Sequence, residues 1–173
     1  MEKEGYELIK PSEMEGNLID LIASGWMLVT AGTRKKFNTM TANWGGVGHL
    51  WNKPVAFVFI RPERYTFGFI EDSEGFTLTF YDETYRDALN ICGTKSGRDC
   101  DKIAEAGLTS HFTESGYPAF KEAKLIMECR KLYATMLKEE EFLDKGPLKI
   151  HYKNKGGLHK LYIAEIEKVW IRH

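Results

Sequence analysis

Three short segments carry side chains suited to holding a polar, anionic ligand. The first is Asn38-Thr39-Met40-Thr41-Ala42-Asn43-Trp44, followed by Gly45-Gly46-Val47-Gly48. Small and polar residues let a backbone approach a planar polar ring closely, with amides available to its edge. The same composition also makes an ordinary glycine-rich turn. The second is Arg61-Pro62-Glu63-Arg64-Tyr65-Thr66, where two arginines and a hydroxyl follow directly on an apolar run. Guanidinium groups present several donors in one plane and so clamp phosphate well, although a solvated pair of arginines needs no ligand. The third, Ser96-Gly97-Arg98-Asp99, fits the S-x-x-D pattern of a helix cap. A helix start beside an arginine is also a ready anion site. The residues by themselves leave both readings of each segment open.

Other chemistries find no support. The glycines after Trp44 do not follow the G-x-G-x-x-G spacing of a dinucleotide-binding turn. His49, His111, His151, His159 and His173 form no HExxH pair and no Cys/His cluster with zinc spacing, so no metal site is expected. No G-x-S-x-G elbow and no conspicuous carboxylate pair argues for a hydrolase. Lys and Arg number 24 against 25 Asp and Glu, a net charge of -1 that supplies no field for nucleic acid. An anion site must therefore be local, which favours a small phosphorylated ligand.

Elements that position these segments can be read from hydrophobic pattern. The chain of 173 residues has the size of one domain, read here as a single unit over 1–173. Met1 to Pro11 is charged and lacks an apolar signal core, and the longest apolar runs, such as Val55 to Ile60, fall far short of the roughly 20 residues of a membrane span. A cytoplasmic, membrane-free protein is expected, with Cys92, Cys100 and Cys129 as reduced structural thiols. Asn17 to Ser24 predicts a short helix ending at Gly25. Trp26 to Thr33 predicts a strand, and Arg34-Lys35-Lys36 a turn into the next. Val55 to Ile60, between Pro54 and Pro62, predicts a strand buried on both faces. A helix is expected over Arg64 to Ile70, a strand over Phe76 to Tyr81, a helix after Asp82 and another from Ser96. Between Lys124 and Leu137 the apolar set changes parity, from Leu125, Met127 and Cys129 to Leu132, Ala134 and Met136, as a β-bulge requires. Leu161 to Ile171 is a final strand, and Gly146-Pro147 breaks the chain before it. Many strands with short helices predict a mainly β, closed or partly closed antiparallel barrel.

The segments Asn38 to Trp44, Arg61 to Thr66, Gly93-Thr94-Lys95-Ser96-Gly97-Arg98-Asp99 and Gly156 to Ile166 (GGLHKLYIAEI), in this order, resemble the flavin reductase-like family with the FMN-binding split barrel, most closely its flavoredoxin-type branch. The likeness covers nearly the whole chain. It implies a six-stranded antiparallel Greek-key split barrel with short peripheral helices, a homodimer, and one non-covalent FMN per subunit near the interface. Carried over by position, Asn38, Thr39, Met40, Thr41, Ala42, Asn43 and Trp44 would lie along the isoalloxazine ring. Arg61, Arg64, Tyr65 and Thr66 would surround the phosphate, with Ser96 and Arg98 completing that end. Trp44, Trp51 and Trp170 are candidate interface anchors.

The resemblance also implies a function. The flavin would accept a hydride or electrons, from NAD(P)H in a reductase, and pass them to an acceptor, with no side chain required as acid or base. NADH-dependent members carry a late G-D-H motif. Here the motif reads Gly157-Leu158-His159, and Ala164 takes the place of a later glycine. His159 is expected at the flavin or nicotinamide, or as a cap on the last strand. Loss of the aspartate leans toward the alternative, an electron carrier served by a redox protein partner without direct NAD(P)H use. A third reading, a barrel that has lost its flavin, conflicts with retention of Arg61, Arg64, Ser96 and Arg98.

Overall fold

The computed structural model describes Met1 and residues 5–153 and 156–172. Glu2, Lys3, Glu4 and His173, used in the sequence patterns above, lie outside them. Strands β1 (Glu7–Ile9), β2 (Met27–Gly32), β3 (Phe37–Ala42), β4 (Gly45–Leu50), β5 (Lys53–Ile60), β6 (Gly75–Phe80), β9 (Leu125–Met136) and β10 (Lys160–Ile171) form one sheet. β7 (Ser110–Phe112) and β8 (Pro118–Phe120) pair separately. The sheet order is β3-β2-β6-β9-β10-β5-β4, with β1 added to the end of β10. All pairs are antiparallel.

The sheet has eight strands where six are expected: β4 and β1 extend the run of six from β3 to β5. Although four strands separate β3 from β5, Met40 of β3 and Ala56, Val58 and Ile60 of β5 belong to one buried core with Val29, Leu78, Met127 and Ala164. The sheet is therefore curled on itself. Helix α2 (Tyr65–Asp72) carries the chain across from β5 to β6, the crossover that makes the strand order non-sequential. The turn between β2 and β3 needs Gly32, whose φ is +130° and whose absent Cβ would fall 2.5 Å from Lys36 O.

The parity change in β9 is a bulge. Tyr133 faces Ile163 and Lys131 faces Ala164, so Leu132 is the extra residue. A second shift lies between Ile166 and Lys168 of β10. Past the first bulge Ala134 and Met136 are exposed, because this end of β9 projects beyond the core.

Several expectations are corrected. β5 is not buried evenly on both faces: Val55, Ala56, Val58 and Ile60 are covered, but Phe57 and Phe59 are half-buried, since the outer neighbour β4 offers glycines rather than a covering layer. In the large sheet it is β6 that is buried at every position. No helix starts at Ser96. Residues 96–99 form a turn in which Asp99 N donates to Ser96 O and Arg98 N to Ser96 Oγ, and helix α4 (Lys102–Glu105) begins later with Asp101 as its cap. Two other helical pieces, α1 (Leu18–Asp20), which runs on to Gly25, and α3 (Arg86–Thr94), sit near their expected places. A further helix, α5 (Gly146–His151), replaces the expected break, its Pro147 in the first turn. Trp170 cannot anchor an interface, being 1% exposed with its Nε1 donating to Glu128. Among the described residues no helix is long and apolar enough to cross a membrane.

Candidate functional site

β3 ends the sheet order, so alternate backbone amides and carbonyls along Phe37–Ala42 face away from β2. That free edge borders a cavity of about 410 Å³ lined by Met40, Thr41, Ala42, Asn43 and Trp44 from one side. Phe59, Arg61 and Arg64 at the end of β5, with His159 at the start of β10, close the other. The Trp44 ring stands against two imidazoles, with centroids 5.2 Å from His159 and 5.0 Å from His151. A planar wall at this end follows from the sequence of β3 and the loop after it.

His159 is buried, with Nδ1 2.8 Å from the Tyr152 hydroxyl. Burial, then the charge of Arg61, holds its pKa down to about 4, so near neutrality the ring is uncharged. Tyr152 follows α5 directly and also lies under the Arg61 guanidinium, 5.3 Å from ring centre to Cζ. Arg61 donates to the His151 carbonyl at 2.9 Å. Glu63 accepts from the Gly157 amide, the main reason its carboxyl sits below the usual range.

Met40, Glu63 and Arg64 also border a second, narrower cavity of about 130 Å³, shared with Tyr65, Thr66, Ser96, Arg98 and Lys102. The two spaces form one groove. Arg64 heads α2, and among the described residues its guanidinium has no hydrogen-bond or ion-pair partner. Desolvation by the groove, then Arg61, lowers its pKa. Arg98 donates to the Glu63 carbonyl at 3.3 Å and stacks over Tyr65. Lys102 is 4% exposed, its ammonium donating to Cys92 O at 3.0 Å and Lys95 O at 3.2 Å. Neither carbonyl neutralises it, and burial lowers its pKa. The Thr66 hydroxyl accepts from Asn38 Nδ2 at 2.8 Å and keeps its own proton to donate. Of the four cations on this lining Lys95 is paired with Glu105, so Arg64, Arg98 and Lys102 are the ones that converge where the one carboxylate, Glu63, is turned toward Gly157.

Of the residues singled out by sequence, Met40 to Trp44, Arg61, Arg64, Tyr65, Thr66, Ser96, Arg98 and His159 all line this groove. Asn38 lies beneath it, facing an adjoining cavity. Thr39 points elsewhere: its hydroxyl pairs with Thr30 Oγ1 at 2.8 Å, which leaves only its backbone for a ligand. Thr41 likewise spends its hydroxyl on the Leu89 carbonyl at 2.5 Å. Lys102 and Tyr152 were not foreseen. A lone lysine carries no sequence signal of burial, and Tyr152 reaches the site only through the unexpected α5.

The family model for the flavin reductase like domain matches residues 19–173. The chain belongs to that family. Similar solved structures of this fold include an FMN-binding domain of a flavin reductases-like enzyme from Shewanella baltica, at 18% identity and a TM-score of 0.67, covering 96% of this chain and 76% of that one. Flavoredoxin of Desulfovibrio vulgaris (Miyazaki F) is 22% identical with a TM-score of 0.67, covering 95% of this chain and 78% of that one. Nitrilotriacetate monooxygenase component B from Bacillus cereus is 20% identical with a TM-score of 0.66, covering 95% and 81%. No curated protein sequence matches the chain. At these identities the likeness establishes the split-barrel fold of the flavin reductase like family.

Proposed function

We propose that the groove binds FMN without a covalent link and that the protein passes electrons through it. The observation that carries this reading is the polarity of the groove. Uncompensated Arg64, Arg98 and Lys102 crowd its narrow end, while Trp44, neutral His159 and the free edge of β3 form its wide end. A phosphate would supply the missing counter-charge, accepting from the two guanidiniums, the Thr66 and Ser96 hydroxyls and the first-turn amides of α2. The backbone edge of Thr39 to Asn43 would hydrogen-bond the polar rim of the ring.

Bound there, the flavin supplies acceptance and release of electrons or a hydride. The chain positions it. Trp44 and Phe59 exclude water from one end of the groove, and Tyr152 holds His159 by its Nδ1, leaving Nε2 as the ring atom to meet the flavin or its substrate. Because His159 is neutral, it adds no positive charge beside the ring.

The electron source separates two versions. NAD(P)H would make the protein a flavin reductase-like oxidoreductase. Leu158 in place of the family's aspartate favours the second, a flavoredoxin-like carrier that exchanges electrons with a redox protein. A homodimer is part of the reading: Trp51 and Tyr133, 6.4 Å apart and both exposed, with Trp44 and Met136, give the molecule aromatic surface suited to a second copy. The purified protein, loaded with FMN and desalted, should retain flavin absorption bands. Anaerobic NADH or NADPH that bleaches them identifies the reductase; unbleached bands identify the carrier. Complete loss of flavin on desalting, with no saturable binding in a titration, would refute the proposal.

A further inference from the structure

A separate cavity lies beside the groove, under α5. Its volume of about 560 Å³ exceeds that of the ring-end cavity and falls within the usual size of a small-molecule site. Among the described residues only Gly156 is common to the two linings. Tyr152 stands between them, lining this cavity while its hydroxyl meets His159 of the other.

Most of the lining is one helical face. Lys145, Leu148, Lys149, Tyr152 and Lys153 recur at intervals of three and four. The turn continues past α5, since the Lys153 amide donates to Leu148 O at 3.2 Å. A short helix on a β-barrel ordinarily turns an apolar stripe toward the body of the protein. Here the face on the cavity carries three ammonium groups, while Ile150, outside that set, is 60% exposed. Among the described residues none of the three lysines has an ion-pair partner; Lys145 donates to the Glu139 carbonyl at 2.8 Å. Lys149 stands four residues from each of the others, a spacing at which like charges repel. Lys145 occupies the N-cap, where the helix dipole disfavours a cation; only Lys149, in the last turn, suits it. Glu139 is the one carboxylate on the described lining. An anion in the cavity would relieve both the repulsion and the mismatch with the dipole. Beside the ammonium groups, Leu148, Leu158 and Tyr152, all half-buried, form an apolar floor.

We propose that this cavity binds an apolar organic acid, an aromatic ring bearing a carboxylate or sulfonate, at a site distinct from the flavin groove. The acid group accepts charge-assisted hydrogen bonds from Lys149 and Lys153, and the ring lies on Leu148 and Leu158. No side chain that lines the flavin groove takes part.

Calorimetric titration with 2-naphthoate in the presence of excess FMN tests this, with 2-naphthalenemethanol as the uncharged counterpart. 2-Naphthoate is expected to bind saturably at one site per chain, and the alcohol about tenfold more weakly. Lys149→Glu combined with Lys153→Glu, both exposed positions, is expected to weaken 2-naphthoate by about tenfold or more. Lys149→Arg with Lys153→Arg, which keeps both charges, and Arg64→Ala, in the flavin groove, are each expected to leave it within about threefold. Absence of saturable binding, binding that survives the double reversal, or binding lost in Arg64→Ala or in the arginine pair would each overturn the site. Equal affinity for the alcohol would overturn its selection of an anion.

Discussion

The Tyr152 hydroxyl lies 2.8 Å from Nδ1 of His159, and the two rings meet nearly edge to face with centroids 5.5 Å apart. This contact ties α5 to the start of β10 at the wide end of the groove. It also fixes a histidine whose pKa, about 4, lies well below its ordinary 6.5. The unfolded chain therefore binds a proton between these values that the folded chain refuses, so stability falls as pH drops from 6.5 toward 4. The full shift is worth about 3 kcal/mol, reduced to about 1 to 2 kcal/mol by groove water. Chemical denaturation at pH 7 and pH 4.5 should show this loss in the wild type beyond that of His159→Gln. Equal losses in the two proteins would mean His159 is not held neutral.

Gly97 is the position where the loop over the narrow cavity touches its floor. An added methyl would strike Asn38 Oδ1, and Asn38 cannot swing away without breaking its bond to Thr66. Gly97→Ala should push Arg98 and Ser96 outward, costing about 1 to 2 kcal/mol of stability and weakening FMN binding about tenfold. Thermal melts and flavin titrations check both effects, and unchanged binding would remove this loop from the site.

Trp170 and Glu128 form a buried pair with Nε1 to Oε1 at 2.7 Å, and the second carboxylate oxygen has no partner among the described residues. Trp170→Phe keeps most of the ring but strands the carboxylate. Denaturant unfolding should report a loss of about 3 kcal/mol. Trp170→Phe combined with Glu128→Leu should recover part of it, since both polar partners are then gone.

Much of the site was legible before the fold was known, and the reason is local. The β3 segment, the Arg61 to Thr66 run and the Ser96 to Asp99 turn each hold their groove-lining groups within a few neighbouring residues. The bulge at Leu132 was visible because strand periodicity is two, so one extra residue must change parity. What stayed hidden depends on distant contacts. Lys102 is buried only because the carbonyls of Cys92 and Lys95 are folded over it. Tyr152 needs α5, a six-residue helix whose Gly146-Pro147 start looks like a break. Ser96 matched a capping pattern, yet the chain makes a turn there and caps its helix with Asp101 instead. Trp170 has the composition of an interface residue, and only the buried Glu128 shows why it points inward.

The central claim is that the cationic end of the groove holds the flavin's phosphate. Comparison of FMN with riboflavin, which has the same ring and no phosphate, tests it most directly. The protein should bind FMN at least a hundredfold more tightly than riboflavin, about 3 kcal/mol, and Arg64→Ala should shrink that ratio to below tenfold while riboflavin binding stays unchanged. Equal affinity for the two flavins, or a ratio that survives Arg64→Ala intact, would contradict it.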